Sequence, residues 1–404
     1  MGKRSADRPD IVVGMLNEQR IREDTPGVGH GLVFLDSAGS SLPPRVVTET
    51  VIAHLHREAA VGGYRAANER LGDLAAVKES IAALINASPA SIALSDSATR
   101  SWADFFYSVP LGPGDRILIS GSDYASNAIA ALQRARASGA TVEHIPSDPT
   151  GQLDLDAFAG LVDERVKLVS LLHAPTNGGL VNPAAEATGI AHEAGALVLL
   201  DACQSAGQIP LDVADLGVDA LSATGRKWLR GPRGTGFLYV RPELAARMEP
   251  ARLDLHSAEW TAPDAYRLAP DAGRFEFWEH DVAARLGLGA AVDYLLELGP
   301  DEVYAAIAAR AEYLRKGLAE ITGVTVRDLG IRHSGIVSFT VDSVAPVQVR
   351  DRLAAEDITV TVSHRSSTLL DMSGRALDAV VRASPHCFVD FAELDRFLAA
   401  VAEL

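Results

Sequence analysis

One lysine stands out among the groups that could do chemistry. The chain has five lysines, Lys3, Lys78, Lys167, Lys227 and Lys316, among 37 lysines and arginines. A chain so biased to arginine keeps a lysine where an amine is tolerated or required. Lys3 lies in the charged start, Lys78 and Lys316 in helical stretches with charged neighbours. Lys167 opens an apolar run, from which it can snorkel. Lys227 sits in SATGRKWLRGPRGTG, Ser222 to Gly236, a turn with four glycines and with Arg226, Arg230 and Arg233 around the lysine. Glycines let a backbone approach a ligand closely. Neighbouring cations favour the free amine that a Schiff base needs. Alone, this loop could equally be a basic surface turn. Asp201 shifts the balance. It ends the apolar run of ALVLLDACQSAGQ, 26 residues before Lys227, and open α/β sheets bind ligands at the C-terminal ends of their strands. A buried aspartate needs a partner. A protonated pyridine nitrogen would serve and would become an electron sink. Capping of the next helix is the other use for an isolated aspartate there; the company of Lys227 favours the pyridine.

The elements that hold these two residues read as an alternation. Apolar runs rich in Val, Ile and Leu fall at Arg116–Ser120, Thr141–Ile145, Lys167–His173, Ala196–Asp201, Ala220–Ala223 and Gly236–Val240. Helical stretches and Gly/Pro turns separate most of them, which predicts an α/β fold with a mostly parallel sheet and helices on both faces. The loop before Gly236 has no room for a helix, so that last strand is expected antiparallel to its neighbour. A long helix near Val282–Leu298 leads to a smaller C-terminal α+β domain. The division expected is an arm over 1–30 with an amphipathic helix from Ile11 to Arg22, a large domain over 31–290 and a small one over 291–404.

Composition narrows the class. The 404 residues suit two domains sharing a core. A net charge of −16 argues against nucleic acid or anionic membrane as a partner. Two cysteines, Cys203 and Cys387, exclude a disulfide framework and fit a reducing cytoplasm. Met1 to Asp10 is charged and reads as no signal peptide. No run reaches the ~18 apolar residues of a membrane span. No metal-ligand pattern is predicted.

From Leu35 onward the chain resembles the class V aminotransferases, the group that holds cysteine desulfurases, kynureninase and isopenicillin N epimerase-like proteins. The resemblance rests on LDSAGSSLPP, SATRSW, YASN, HAPTNGGLVNP, LLDACQS, ATGRKWLRGPRGTGFLYVRP, RFEFW and VRAS. It implies a fold-type I enzyme and a homodimer, with pyridoxal 5′-phosphate (PLP) held as an imine on Lys227. It further implies Asp201 as partner of the pyridine nitrogen, Gln204 as donor to the phenolic oxygen and Tyr124 as the ring-stacking group. Ala98 and Thr99 fall at the phosphate-binding turn, with Thr224 and Arg226 completing the cup. Thr176 or Asn177 would lie near the ring and the substrate carboxylate, and Arg382 would clamp that carboxylate. Glu279 stands where relatives carry a threonine that reaches the partner's phosphate, so either another residue replaces that threonine or Glu279 faces the substrate. Tyr64, beside Gly62-Gly63, is expected to enter the partner's site. His173 is either a site residue or a satisfied strand-end histidine.

The reaction expected is set by an absent thiol. Desulfurases carry a nucleophilic cysteine on a loop before VRAS; Val360 to Ser384 has none here. The SSTLLDM and VGGYRAANE stretches resemble C–S lyases of ergothioneine or lincosamide-type thiol processing. The expectation is therefore β-elimination from a cysteine S-conjugate to thiol or sulfenate, pyruvate and ammonia, and not a desulfurase. Decarboxylation-coupled deamination, transamination and epimerisation are the alternatives. SPHCFVD after Arg382 and WEHD around Glu279 depart from the family pattern.

Overall fold

The computed structural model describes residues 16–404. The helix expected from Ile11 lies partly outside them; its described part is Glu18–Glu23, capped by Asn17. The first strand, β1 (Val33–Phe34), is short and stands apart from the main sheet. The main sheet comprises β2 (Ile92–Ser95), β3 (Arg116–Ser120), β4 (Thr141–Ile145), β5 (Val166–Leu172), β6 (Leu197–Asp201), β7 (Ala220–Thr224) and β8 (Gly236–Val240). Their order is β2-β8-β7-β6-β5-β3-β4. As expected, β8 runs antiparallel to β7; it is antiparallel to β2 as well, while the other pairings are parallel. The edge strand β2 was not among the expected runs.

The central strands are apolar throughout because both faces are covered. In β6, Leu199 faces a core with Trp102, Phe105 and Ile117, and Leu200 faces the opposite core with Leu171, Leu221 and Ile307. The period of two thus sends neighbouring leucines to different cores. A hairpin follows, β9 (Ala258–Ala262) with β10 (Ala265–Leu268), exposing Trp260 and Tyr266.

The helix Val282–Leu298 packs on Arg45–Val61 and Leu71–Leu84. It runs through the expected boundary at residue 290. Beyond it lie β11 (Val324–Val326), β12 (Val337–Val341), β13 (Ile358–Thr359), β14 (Thr361–His364) and β15 (Ala379–Ala383). Four of these form an antiparallel sheet in the order β11-β12-β15-β14. The helix Phe391–Ala402 opens on a reciprocal capping box between Asp390 and Glu393.

Around the expected boundary after residue 30, the start of the chain packs on its C-terminal part. β1 pairs in parallel with β13. The Ala38 N–H donates to Ser384 Oγ (3.0 Å), and Arg22 reaches Glu393 (2.7 Å). The start of the chain is therefore built into the C-terminal unit, and 31–40 does not belong to the large sheet alone. No helix among the described residues is long and apolar enough to cross a membrane.

Candidate functional site

A cavity opens at the C-terminal ends of β5, β6 and β7 and at the start of the helix Ala98–Phe106. Its floor is Asp201, the last residue of β6 and 5 % exposed. Asp201 Oδ1 accepts from the Cys203 N–H (2.9 Å), and Oδ2 accepts from Asn127 Nδ2 (2.9 Å). It makes no salt bridge among the described residues. Opposite it is Lys227, whose amine likewise has no hydrogen bond or salt bridge among the described residues. Burial pulls the Lys227 ammonium below its ordinary range, and the nearby Arg226 and Arg382 guanidinium groups add to this. Both effects favour the neutral, nucleophilic form of the amine.

The lysine loop is held from behind. Trp228 Nε1 donates to Gln204 Oε1 (2.9 Å). His386 accepts from the Cys387 N–H at Nδ1 (2.9 Å), so Nε2 carries the proton and donates to the Trp228 carbonyl (3.0 Å). Burial lowers His386 to about 3 and keeps it neutral. Its ring lies between Trp228 and Phe388, and Arg230 sits over Phe388 at 4.8 Å. The unusual SPHCFVD segment is thus the buttress of the lysine loop rather than a wall of the cavity. Gly207, at φ 98°, lets the turn after β6 press on the Trp228 backbone, where a Cβ would come within 2.5 Å.

At the far end, Ser97 caps the helix Ala98–Phe106 by accepting from the Arg100 N–H (3.2 Å). Ala98 and Thr99 line the cavity there, with Thr224 and Arg226 beside them. Thr224 Oγ1 donates to the Thr235 carbonyl (3.2 Å), and Arg226 also donates to the Gly39 carbonyl. Gly236 makes the approach of β8 feasible, since a Cβ would meet Ser97 and Ala98 backbone atoms at 2.6 and 2.7 Å. Tyr124 lines the cavity as well and is 39 % exposed.

Of the two neighbours offered by the sequence, Thr176 lines the cavity. Asn177 is buried elsewhere and donates to Asp371 Oδ2 (2.6 Å). Gln204 Nε2 donates to the Ala38 carbonyl (3.0 Å) and Thr176 Oγ1 (3.3 Å). Arg382, on β15, stands behind Thr176. Its Nη1 donates to Thr176 O (3.0 Å) and Oγ1 (2.8 Å), and its Nη2 pairs with Asp36 Oδ1 (3.1 Å). Its buried Nε has no partner among the described residues.

Besides Asn177 and Arg382, Glu279, Tyr64 and His173 do not line this cavity within the chain. Glu279 lines a separate cavity with Arg100, Asp254, His280 and Arg285. Tyr64 is 78 % exposed on the short helix Gly63–Asn68. His173 is 3 % exposed, and burial lowers it to about 4, so it is a neutral strand-end histidine. The sequence reading missed Asp123, Asn127 and Asp36. An Asp and Asn four apart around Tyr124 was the available signal for the first two.

The geometry accommodates PLP. A buried carboxylate with no salt bridge among the described residues suits a cationic ring nitrogen, the Lys227 amine suits an aldehyde, and a capped helix start beside Arg226 suits a phosphate.

The aminotransferase class-V family profile matches residues 33–397. A curated relative named "Probable cysteine desulfurase" from Synechocystis is 32 % identical, over 94 % of this chain and 93 % of its own. The cysteine desulfurase of Thermococcus onnurineus is 25 % identical with a TM-score of 0.87, covering 95 % of this chain and 97 % of its own. A lysine-to-alanine mutant of C-DES with glycine covalently linked to the PLP cofactor is 25 % identical with a TM-score of 0.86, over 95 % and 99 %. These relatives correct one expectation. The missing loop cysteine argued for a β-eliminating C–S lyase and against a desulfurase, yet the similarity over nearly the whole chain is to proteins called cysteine desulfurases.

Proposed function

Because the chain belongs to the class-V aminotransferase family and pyridoxal 5′-phosphate is its cofactor, we propose that it acts as a cysteine desulfurase. The observation that carries this reading is the 32 % identity across 94 % of the chain to a protein of that name. When bound, the cofactor supplies a carbonyl for the substrate amine and an electron sink for bonds at its α and β carbons. Lys227 would bind the cofactor and, once free, move a proton at the substrate α-carbon. Asp201 would hold the ring nitrogen protonated. Arg382, whose Nη1 bonds Thr176 and whose buried Nε has no partner among the described residues, is suited to receive the α-carboxylate. The Cβ–Sγ bond of cysteine breaks, the sulfur joins an acceptor thiol as a persulfide, and the thiol's hydrogen completes alanine.

The acceptor thiol comes from outside the chain. Cys387 is buried behind the lysine loop. Cys203 lines the cavity wall, but burial, with the Asp201 charge, pushes its thiol up to about 12, and a protonated thiol is a poor nucleophile. The loop and helix from His364 to Gly374 hold no cysteine. Holoenzyme mixed with L-cysteine should form alanine and, with added dithiothreitol, sulfide in equal amounts by mass spectrometry. Pyruvate and ammonia without alanine would overturn the proposal.

The same reading includes a cytoplasmic homodimer in which the exposed Tyr64 faces the partner's site. Sedimentation at assay concentration tests it, and a fully active monomer would defeat it.

A further inference from the structure

Behind Asp201 lies a second buried carboxylate. Asp123 follows β3 and is 6 % exposed. Its Oδ1 accepts from the Tyr124 N–H (2.8 Å) and from Asn127 Nδ2 (3.1 Å), and its Oδ2 accepts from Ser170 Oγ on β5 (3.3 Å). Asn127 is 3 % exposed, and its one amide nitrogen donates to both Asp123 and Asp201. A single amide therefore spans two buried carboxylates. No salt bridge to a cation serves either among the described residues. Two like charges so placed repel unless a cation stands near them or one takes a proton.

We propose that Asp123 is a positioning residue which, through Asn127, fixes the Asp201 carboxylate toward the cavity and sets a second negative charge behind it. The pair is matched to a cationic ring nitrogen on the cavity side, so Asp123 strengthens the hold on the cofactor. This inference rests on the cofactor and not on which sulfur bond is cut. The charged group facing Asp123 is Asp201 on β6; the groups that bond it are Ser170 on β5, the Tyr124 amide and Asn127. Lys227 and Arg226 line the cavity that Asp201 faces. Burial, with the Asp201 charge, raises Asp123 to about 7. It is charged above that pH and neutral below it.

The test uses Asp123→Asn, which keeps the shape and removes the charge. In the holoenzyme at pH 8 the cofactor dissociation constant should rise about tenfold, which is about 1.4 kcal/mol. The difference from the unmodified protein should vanish below about pH 6, where Asp123 is already neutral. The visible band of the bound cofactor should titrate at lower pH in the variant, because a nearby negative charge favours protonated nitrogen. The apo variant should melt no lower than the unmodified apo protein at pH 8, since one of two repelling charges is gone. Wild-type retention at pH 8 would overturn the proposal. So would an equal loss at pH 6 and 8 with a lower apo melting temperature, the mark of a purely structural role. If Asp123→Asn does not fold, Ser170→Ala serves. Loss of that donor should move the pH midpoint of cofactor retention upward, and an unmoved midpoint would overturn the proposal.

Discussion

Glu276 and Asp201 are both carboxylates taken out of water, 2 % and 5 % exposed, and they are treated in opposite ways. Glu276 meets Lys78 at 2.5 Å, Arg285 at 3.0 Å and His256 at 3.7 Å, and accepts the Leu94 N–H at 3.0 Å. Burial opposes its ionisation, but Lys78 and Arg285 outweigh burial and hold it below the ordinary range. Asp201 has amide donors and a second carboxylate nearby, and no cation paired with it among the described residues. The first arrangement joins Leu71–Leu84, β2 and Val282–Leu298. The second leaves electrostatic demand open to a cavity. A buried charge fully paired by its own chain supports structure, and one left short of a partner marks where a ligand supplies the rest.

Four variants and one comparison of pH profiles press on this contrast. Lys227→Ala should remove covalent cofactor and cut turnover by about 10²–10⁴-fold or more, read from the visible band and the alanine assay. A variant that still carries covalent cofactor would break the assignment. Arg285→Met should act on stability instead, costing about 3–5 kcal/mol in urea unfolding because Glu276 loses a buried partner. The pH profiles should differ in sign. The Glu276 pKa is lowered in the folded state, so its contribution is present above the ordinary carboxylate range and lost as pH falls through the lowered value. Asp123 is raised to about 7, so stability of the apo protein should decline as pH climbs from about 4 toward 7. If Arg285→Met leaves acid stability unchanged, the Glu276 half of the contrast is wrong. Arg382→Lys should raise KM about tenfold with a smaller change in kcat, since an ammonium lacks the planar fork. Equal loss in both would point to a role in the chemical step. Asp36→Asn is expected to be mildest, raising KM about threefold, on the order of 0.6 kcal/mol from loosening Arg382. No change would show that Thr176 alone orients the guanidinium.

The sequence made one half of this contrast far more legible than the other. Long runs such as LVLLD and LVSLL reveal β5 and β6 because strands buried on both faces are apolar throughout. Lys227 and Asp201 were legible because each ends or follows such a run within a glycine-rich setting. β2 was hidden because IALS is four residues between helices, and the β9–β10 hairpin because its exposed residues lack an alternating pattern. The Glu276 cluster draws on residues 78, 276 and 285, and no local spacing announces it. Arg382 was found through its motif, but its partner Asp36 lies 346 positions away. Asn177 and Thr176 adjoin in sequence, and only the turn's path sends one to the cavity and the other to Asp371.

The pairing of β1 with β13 has a consequence for how the chain is made. A ribosome releases Val33 and Phe34 long before Ile358 and Thr359 exist, so the first strand must wait, unpaired, through most of synthesis. Domains otherwise fold as they emerge, at about 5–20 residues per second. The large sheet can form around Asp201 during that wait, while Arg382 and the His386 buttress arrive only near the end. The newborn chain thus lacks these residues until its tail closes over its head, and a protein cut short before β13 would leave that early strand open to another molecule's edge.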